Sequence, residues 1–275
     1  MKDVAGKIFS EIGIEYYSFL RYSDCREINE NLISRAGISP RTALIYLIPY
    51  YTVEGENISS YAVGIDYHLV IKRINARLIE ELKHKFPENE FLSFGDHSPI
   101  DERHASLVSG LGILGDSGLL INEKYGTYVF IGEIITDLTL NPDEYATPTQ
   151  VGRCIGCGKC KSACPTGILL GEGEECLSAI TQKKGELSDS EAALMIRYNT
   201  AWGCDICQRV CPYNKSPEKT PVADFYTDTI PLLTRSLLDG MDKAEFSKRA
   251  FAWRGRKTVE RNIDLLENAN NNLQK

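Results

Sequence analysis

Eight of the nine cysteines fall between residues 154 and 211, and nothing else in the 275-residue chain narrows its folding options so far. The first run, Cys154-Ile-Gly-Cys157-Gly-Lys-Cys160-Lys-Ser-Ala-Cys164-Pro165, has the spacing C-x2-C-x2-C-x3-C-P. In that bacterial ferredoxin pattern three close thiolates hold one [4Fe-4S] cubane and the fourth reaches to a second. The second run, Cys204-Asp-Ile-Cys207-Gln-Arg-Val-Cys211-Pro212, lacks one C-x2-C step, and Cys176 is the cysteine left in the region to supply the missing ligand. The ligands then divide evenly: Cys154, Cys157, Cys160 and Cys211 for one cluster, Cys164, Cys176, Cys204 and Cys207 for the other. Pro165 and Pro212 turn the chain away after each crossing cysteine. Gly156, Gly158 and Gly203 let backbone approach sulfur closely. Disulfides or zinc are the competing readings, but a zinc site needs only two C-x2-C pairs and has no use for two crossing Cys-Pro ends.

Clusters require thiolates, so the chain is expected in a reducing compartment, with Cys25 left as a buried or spectator thiol. A formal net charge of −7 argues against a protein that coats nucleic acid non-specifically. The start, Met1-Lys-Asp-Val-Ala-Gly-Lys, has no apolar h-region and no membrane span follows, which predicts a cytoplasmic protein with no membrane attachment. At 43% hydrophobic the chain can bury one good core and a smaller satellite.

Apolar spacing predicts an N-terminal helix over residues 3–14 and a short strand over 15–20. Thr42 to Pro49 is a nearly continuous apolar run and reads as a central strand buried on both faces. A long amphipathic helix follows Ile65-Asp66-Tyr67-His68 and runs to about Lys85. A strand over Phe91–Phe94 delivers Gly95-Asp96-His97-Ser98-Pro99, and a helix over 100–108 carries Glu102, Arg103 and His104. Leu119–Asn122 and Tyr125–Leu138 read as the two arms of a hairpin. Residues 141–149 form a linker, and Asp242–Phe251 a short helix. The segment from Lys248 to Asn262 is the one strongly basic stretch. Gly110-Leu-Gly112-Ile-Leu-Gly115 has nearly the spacing of a dinucleotide loop, but it follows a helix rather than a strand. It is read instead as backbone packed flat against a large planar cofactor.

These motifs together resemble the epoxyqueuosine reductase family. The matching segments are Asp66-Tyr67-His68, Asp96 with Arg103, Gly110 to Gly115, Leu119-Leu-Ile, Tyr125-Gly-Thr-Tyr, Glu133-Ile-Ile-Thr-Asp137, the eight cysteines, Gly203 to Pro212 and Trp253-Arg-Gly255. The resemblance implies an α+β protein: a nitroreductase-like α/β cobalamin-binding domain over residues 1–148, a ferredoxin-like two-[4Fe-4S] domain over 149–220, and a short helical C-terminal segment over 221–275. It implies a cobalamin-dependent oxidoreductase converting epoxyqueuosine to queuosine at the wobble position of tRNA. Asp96 and Asp66 would line the substrate side of the corrin, with Asp96 as proton donor. Tyr67, His68, Arg103, Gly110, Gly112, Gly115 and Tyr125 would contact the cofactor.

Elementary chemistry agrees with that role for Asp96, because losing an epoxide oxygen as water requires a proton at the leaving atom. The plain alternative is that Asp96 and Asp66 cap the helices that follow them. His68 alone is a poor metal ligand signal and reads as a structural residue beside the site. The implied partners are a tRNA anticodon loop and a small redox donor such as ferredoxin or flavodoxin. This chain departs from the family in carrying Asp116 where a lysine is usual, and in stopping short of the helical repeats that grip tRNA. Arg254, Arg256, Lys257 and Arg261, with Trp253 for stacking, are the residues left to contact phosphates, unless they form an ordinary solvated helix start. Two other readings compete: a corrinoid iron–sulfur reductase of another substrate, related to reductive dehalogenases, and a ferredoxin-type electron carrier.

Overall fold

The computed structural model describes residues 1–273. The chain forms two compact units, one of residues 1–50, 68–155 and 220–223, the other of 51–67, 156–219 and 224–275. The division does not follow the expected breaks at 148 and 220: residues 51–67, early in the sequence, belong to the second unit.

In the first unit β1 (Tyr17–Arg21), β2 (Thr42–Pro49), β3 (Phe91–Phe94) and a later strand, Val129–Thr136, form one sheet. Two short strands, β4 (Ile113–Leu114) and β5 (Leu120–Ile121), pair with each other, which makes the later strand β6. The order in the large sheet is β1-β2-β6-β3, antiparallel throughout. This corrects the expected hairpin, since β6 pairs with β2 and β3 and not with the 119–122 arm. All eight residues of β2 are buried, as its unbroken apolar run demands of an interior strand.

Side chains alternate across the sheet. Ala43, Ile45, Leu47 and Ile135 meet Ile100 and the apolar side of a short helix, Glu102–Val108. On the other face Tyr46 packs on Phe9 of the first helix, α1 (Lys2–Ile12), with ring centroids 4.9 Å apart. Gly132 lies opposite Tyr46, and a Cβ there would stand 2.3 Å from the tyrosine ring. With α2 (Glu30–Ala36) next in order, the long helix is α3 (Tyr67–Lys85) and the short one α4. Val70, Ile71, Ile74, Leu78 and Leu82 form the buried stripe of α3. Asn75, fully buried in that stripe, accepts from Tyr46 Oη (2.7 Å) and donates to Ser93 Oγ (2.8 Å) and Glu133 O (3.2 Å). These bonds remove the cost of burying its amide.

The second unit has seven helices among its described residues, most very short: α5 (Lys159–Ala163), α6 (Leu177–Thr181), α7 (Asp189–Arg197), α8 (Ile206–Arg209), α9 (Arg235–Gly240), α10 (Lys243–Ser247) and α11 (Arg256–Leu273). Its core gathers Ile58, Trp202, Phe251, Val259, Ile263 and Leu266. Ile58 bridges Trp202 as a one-residue parallel pair, and Trp202 Nε1–H donates to Tyr61 Oη at 2.9 Å. No helix among the described residues is long and apolar enough to cross a membrane.

Candidate active site and cluster segment

Beyond β3 the chain turns through Gly95 into Asp96, whose φ of 57° is left-handed. Few non-glycine residues enter that region, and Asp is among those that do. The turn sets the half-exposed Asp96 carboxyl 3.3 Å from Nε2 of His68, on the first turn of α3. Helix capping does not account for Asp96. Asp101 caps α4, its side chain accepting from His104 N at 2.9 Å. Asp96, Ile100, Glu102, Arg103, Thr127 and Val129 are among the residues lining a cavity of about 330 Å³. Arg103 Nη1 donates to Gly118 O at 2.6 Å, fixing the guanidinium at the cavity wall.

Two carboxyls near Asp96 lack full hydrogen bonding: Glu133 is buried, and Glu102 is half-buried with its Oε2 shut away from solvent. Glu133 stands on β6 between Ile131 and Ile135, so the period of two places it on the apolar face that meets α4. It is fully buried, and its one donor is Ser98, whose hydroxyl bonds Oε1 while Oε2 has no partner. Burial pushes its pKa up to about 8; the Ser98 bond opposes this, and the neighbouring Glu102 adds to it. Burial, followed by the charge of Asp96, likewise lifts Glu102 to about 7, although the Asp96 amide donates to its carboxylate. Glu102 Oε2 has no partner either. Neither glutamate was singled out from the sequence as a site residue. The available signal was an acid at an alternate position of the apolar Ile131-Gly-Glu-Ile-Ile135 run.

The glycine turn has its own structural occupation. A Cβ on Gly112 would lie 2.6 Å from Ile121 O, and one on Gly115 3.0 Å from Ile121 Cδ1, so both glycines admit β5. Gly110 takes φ 80° after α4. The turn also seats a cysteine: Leu114 N donates to Gly152 O (2.8 Å), Cys154 N to Leu114 O (3.0 Å), and Asp116 N to Cys154 Sγ (3.4 Å). Tyr125 is a core residue, edge-on to Tyr16, its amide held by Asn122 Oδ1 at 3.1 Å. Asp66 and Tyr67 lie in the second unit, where Asp66 N donates to Lys248 O at 2.8 Å and Tyr67 meets Tyr61 edge-on.

The second unit brings Cys164, Cys176, Cys204 and Cys207 into one electrostatic neighbourhood. Burial first, then the nearby charges of Cys176, Asp205 and Cys164, pushes the Cys204 thiol up to about 11. Cys207 rises to about 12 from burial and the charges of Cys204, Cys176, Asp205 and Cys160. Burial also raises Cys164, but hydrogen bonds from Leu169, Thr166 and Ile168 outweigh it and hold that thiol below its usual range. Iron must displace the protons of the raised thiols when it binds. Among the described residues no three His, Cys, Asp or Glu side chains converge to hold a single metal ion.

Asp205, between two of these cysteines, is only 3% exposed. It accepts from Ser59 Oγ, from Ser60 N (2.6 Å) and from Gln208 Nε2 (3.0 Å). In the basic C-terminal stretch, Arg256 donates to the carbonyls of Leu238 and Met241, each at 2.6 Å, and Arg261 to those of Lys183 and Gly185. Two of the four expected phosphate contacts are thus engaged inside the unit. Arg254 lies 3.7 Å over the ring of Trp253, which is 59% exposed.

Residues 153–214 match the family described as a 4Fe-4S double cluster binding domain. The chain is 35% identical over 214 residues to the epoxyqueuosine reductase of Listeria monocytogenes, covering 74% of this chain and 54% of that protein. It is 34% identical over 222 residues to that of Cyclobacterium marinum, covering 77% and 69%. A Bacillus subtilis epoxyqueuosine reductase structure, with its catalytic loop swung out of the active site, superposes with a TM-score of 0.77 at 24% identity, over 96% of this chain and 80% of that one. The fold and the matched cysteines define an α+β iron–sulfur protein of the double-cluster class. The chain belongs to the epoxyqueuosine reductase family. It spans about half the length of the Listeria relative.

Proposed function

We propose that this chain is a cobalamin-dependent oxidoreductase that reduces the epoxide of epoxyqueuosine in tRNA with electrons carried through two [4Fe-4S] clusters. The observation that carries the reading is the Asp96 turn: a carboxyl in a left-handed conformation, beside His68, at a cavity in a chain that also holds the double-cluster cysteines. One epoxyqueuosine reductase has been solved with an epoxyqueuosine-modified tRNA stem loop.

Turning an epoxide into an alkene and water consumes two electrons and two protons. The residues of the first unit handle the proton side of that balance. Asp96 gives a proton to the departing oxygen, His68 Nε2 orients the carboxyl, and Ile100, Val129 and Ile131 supply an apolar wall that limits water. Arg103, in the wall of this cavity of about 330 Å³, and His68, beside Asp96, are the residues that would meet cobalamin. Bound cobalamin would supply a strongly reducing, nucleophilic metal centre.

The cluster ligands proposed are Cys154, Cys157, Cys160 and Cys211 for one cubane, and Cys164, Cys176, Cys204 and Cys207 for the other. Cys176→Ser is expected to lose the iron of one cluster; a full iron content in that variant would overturn the assignment. A small ferredoxin or flavodoxin in the cytoplasm is the proposed electron source. Trp253, exposed and backed by Arg254, offers a stacking surface for an unpaired tRNA base.

The direct test is anaerobic turnover of epoxyqueuosine-containing tRNA with cobalamin and a strong reductant. Formation of queuosine supports the reading; a chain with clusters and cobalamin bound that leaves the epoxide intact refutes it.

A further inference from the structure

Two protons are consumed in each turnover of the proposed reaction, and Asp96 has one to give. Breaking the first C–O bond places one proton on the oxygen as a hydroxyl. Breaking the second releases that hydroxyl as water and needs another. The two C–O bonds are replaced by two O–H bonds and a C=C bond, with two electrons drawn from the reduced clusters. The second proton must come from a group close to Asp96.

Glu102 is that group by position. It lines the same cavity, its carboxylate accepts the Asp96 amide, and it lies within electrostatic reach of the Asp96 side chain. Its Oε2 is buried with no hydrogen-bond partner, an expensive arrangement for a carboxylate and a cheaper one for a carboxylic acid. The charged groups around it favour the neutral form on balance. Asp96 faces it from the turn after β3, Asp101 and Arg103 from its own helix, and Glu133 from β6. Of these only Arg103 is a cation, and its Nη1 is bound to Gly118 O. Glu133 is backed by Ser98, and none of Tyr22, Cys25 and Tyr46, all within its electrostatic reach, is a cation.

We propose that Glu102 holds the second proton of the turnover and passes it to the Asp96 carboxylate once Asp96 has given up the first. The role rests on the epoxide-reduction reading. Glu102 acts through Asp96 and is a positioning residue rather than a contact to the substrate. After water leaves, both carboxyls regain protons from solvent through the cavity mouth. Burial and the surrounding acids keep a substantial fraction of Glu102 protonated near neutrality, as the store requires.

The test pairs kinetics with spectroscopy on the full chain. In anaerobic turnover of epoxyqueuosine tRNA, Glu102→Gln should leave KM and the cluster and cobalamin absorption unchanged, and lower kcat by about 100-fold. It should also erase the inflection of the kcat profile near neutrality, and Glu102→Asp should restore part of the rate. Wild-type kcat and pH profile in Glu102→Gln overturn the proposal. Independently, infrared difference spectra of the chain without cobalamin should show a protonated-carboxyl C=O band that titrates near neutrality and is missing from Glu102→Gln. Absence of that band in the wild type overturns the Glu102 assignment whatever the substrate. An inactive wild type that still shows the band overturns the function reading, and the second-proton role with it.

Discussion

Each unit of the molecule shuts carboxyl oxygens away from water, and the two units treat them in opposite ways. In the second, Asp205 is nearly inaccessible but holds three donors, from Ser59, Ser60 and Gln208. In the first, Glu102 and Glu133 each leave an oxygen with no partner. A buried carboxyl whose oxygens hold several donors ties chain segments together. One that lacks partners takes up a proton instead. The contrast separates a clamp from a proton store without reference to the reaction.

The largest effect should come from Asp96→Asn, which keeps shape and hydrogen bonding but removes the transferable proton. Turnover of epoxyqueuosine tRNA should fall by about 1,000-fold or more with clusters and cobalamin still bound. Full activity would leave Asp96 no part in the chemistry. Next comes the clamp. Asp205→Ala strands a buried Ser60 N–H and two side chains, and denaturant unfolding should show a loss of about 3 kcal/mol. A loss under about 0.5 kcal/mol, the size of an ordinary surface change, would erase the contrast between the units.

The stores make a pH prediction. Glu133 has its folded pKa raised from 4.5 to about 8, so the folded state binds its proton more tightly than the unfolded chain. The stabilisation is complete below about pH 4.5 and is lost progressively as pH rises to about 8. Glu102 adds a loss in the same direction between 4.5 and about 7. Glu133→Gln should therefore flatten the fall in stability across this range, measured by denaturant midpoints at successive pH values. An unchanged slope would mean that Glu133 is ionised in the folded state. The smallest effect belongs to Ser98→Ala. It removes the one donor to Glu133 and the acceptor of the Ile100 N–H, at a cost of about 1 kcal/mol, and moves the Glu133 titration further up. A downward movement would contradict the hydrogen-bond direction assigned to Ser98.

Much of this was legible in the residues. The β2 strand was plain because an interior strand must be apolar on both faces, and Thr42–Pro49 is. The double-cluster segment was plain because cluster ligation restricts cysteine spacing, and residues 153–214 match that family. The hairpin was misread for a physical reason: the 119–122 arm has only two residues that pair, and they pair with β4, while β6 is long and apolar enough to lie between two other strands. Helix α11 was seen only as a basic stretch because Val259, Ile263 and Leu266 are scattered among arginines, glutamates and asparagines. Arg256 and Arg261 looked like phosphate contacts because composition does not show which carbonyls they reach. Nor could local pattern show that Ile58 would pair with Trp202, far along the chain.

That pairing bears on how the protein can be cut and how it assembles. A gene fragment starting at residue 149 would encode all eight cluster cysteines, yet it would omit Ile58 and the two serines that Asp205 grips. Such a fragment would meet iron with an open hydrophobic seam and an interior acid short of two of its hydrogen-bond donors. During synthesis residues 51–67 leave the ribosome long before the rest of their unit, and must wait for Trp202 before that core can close.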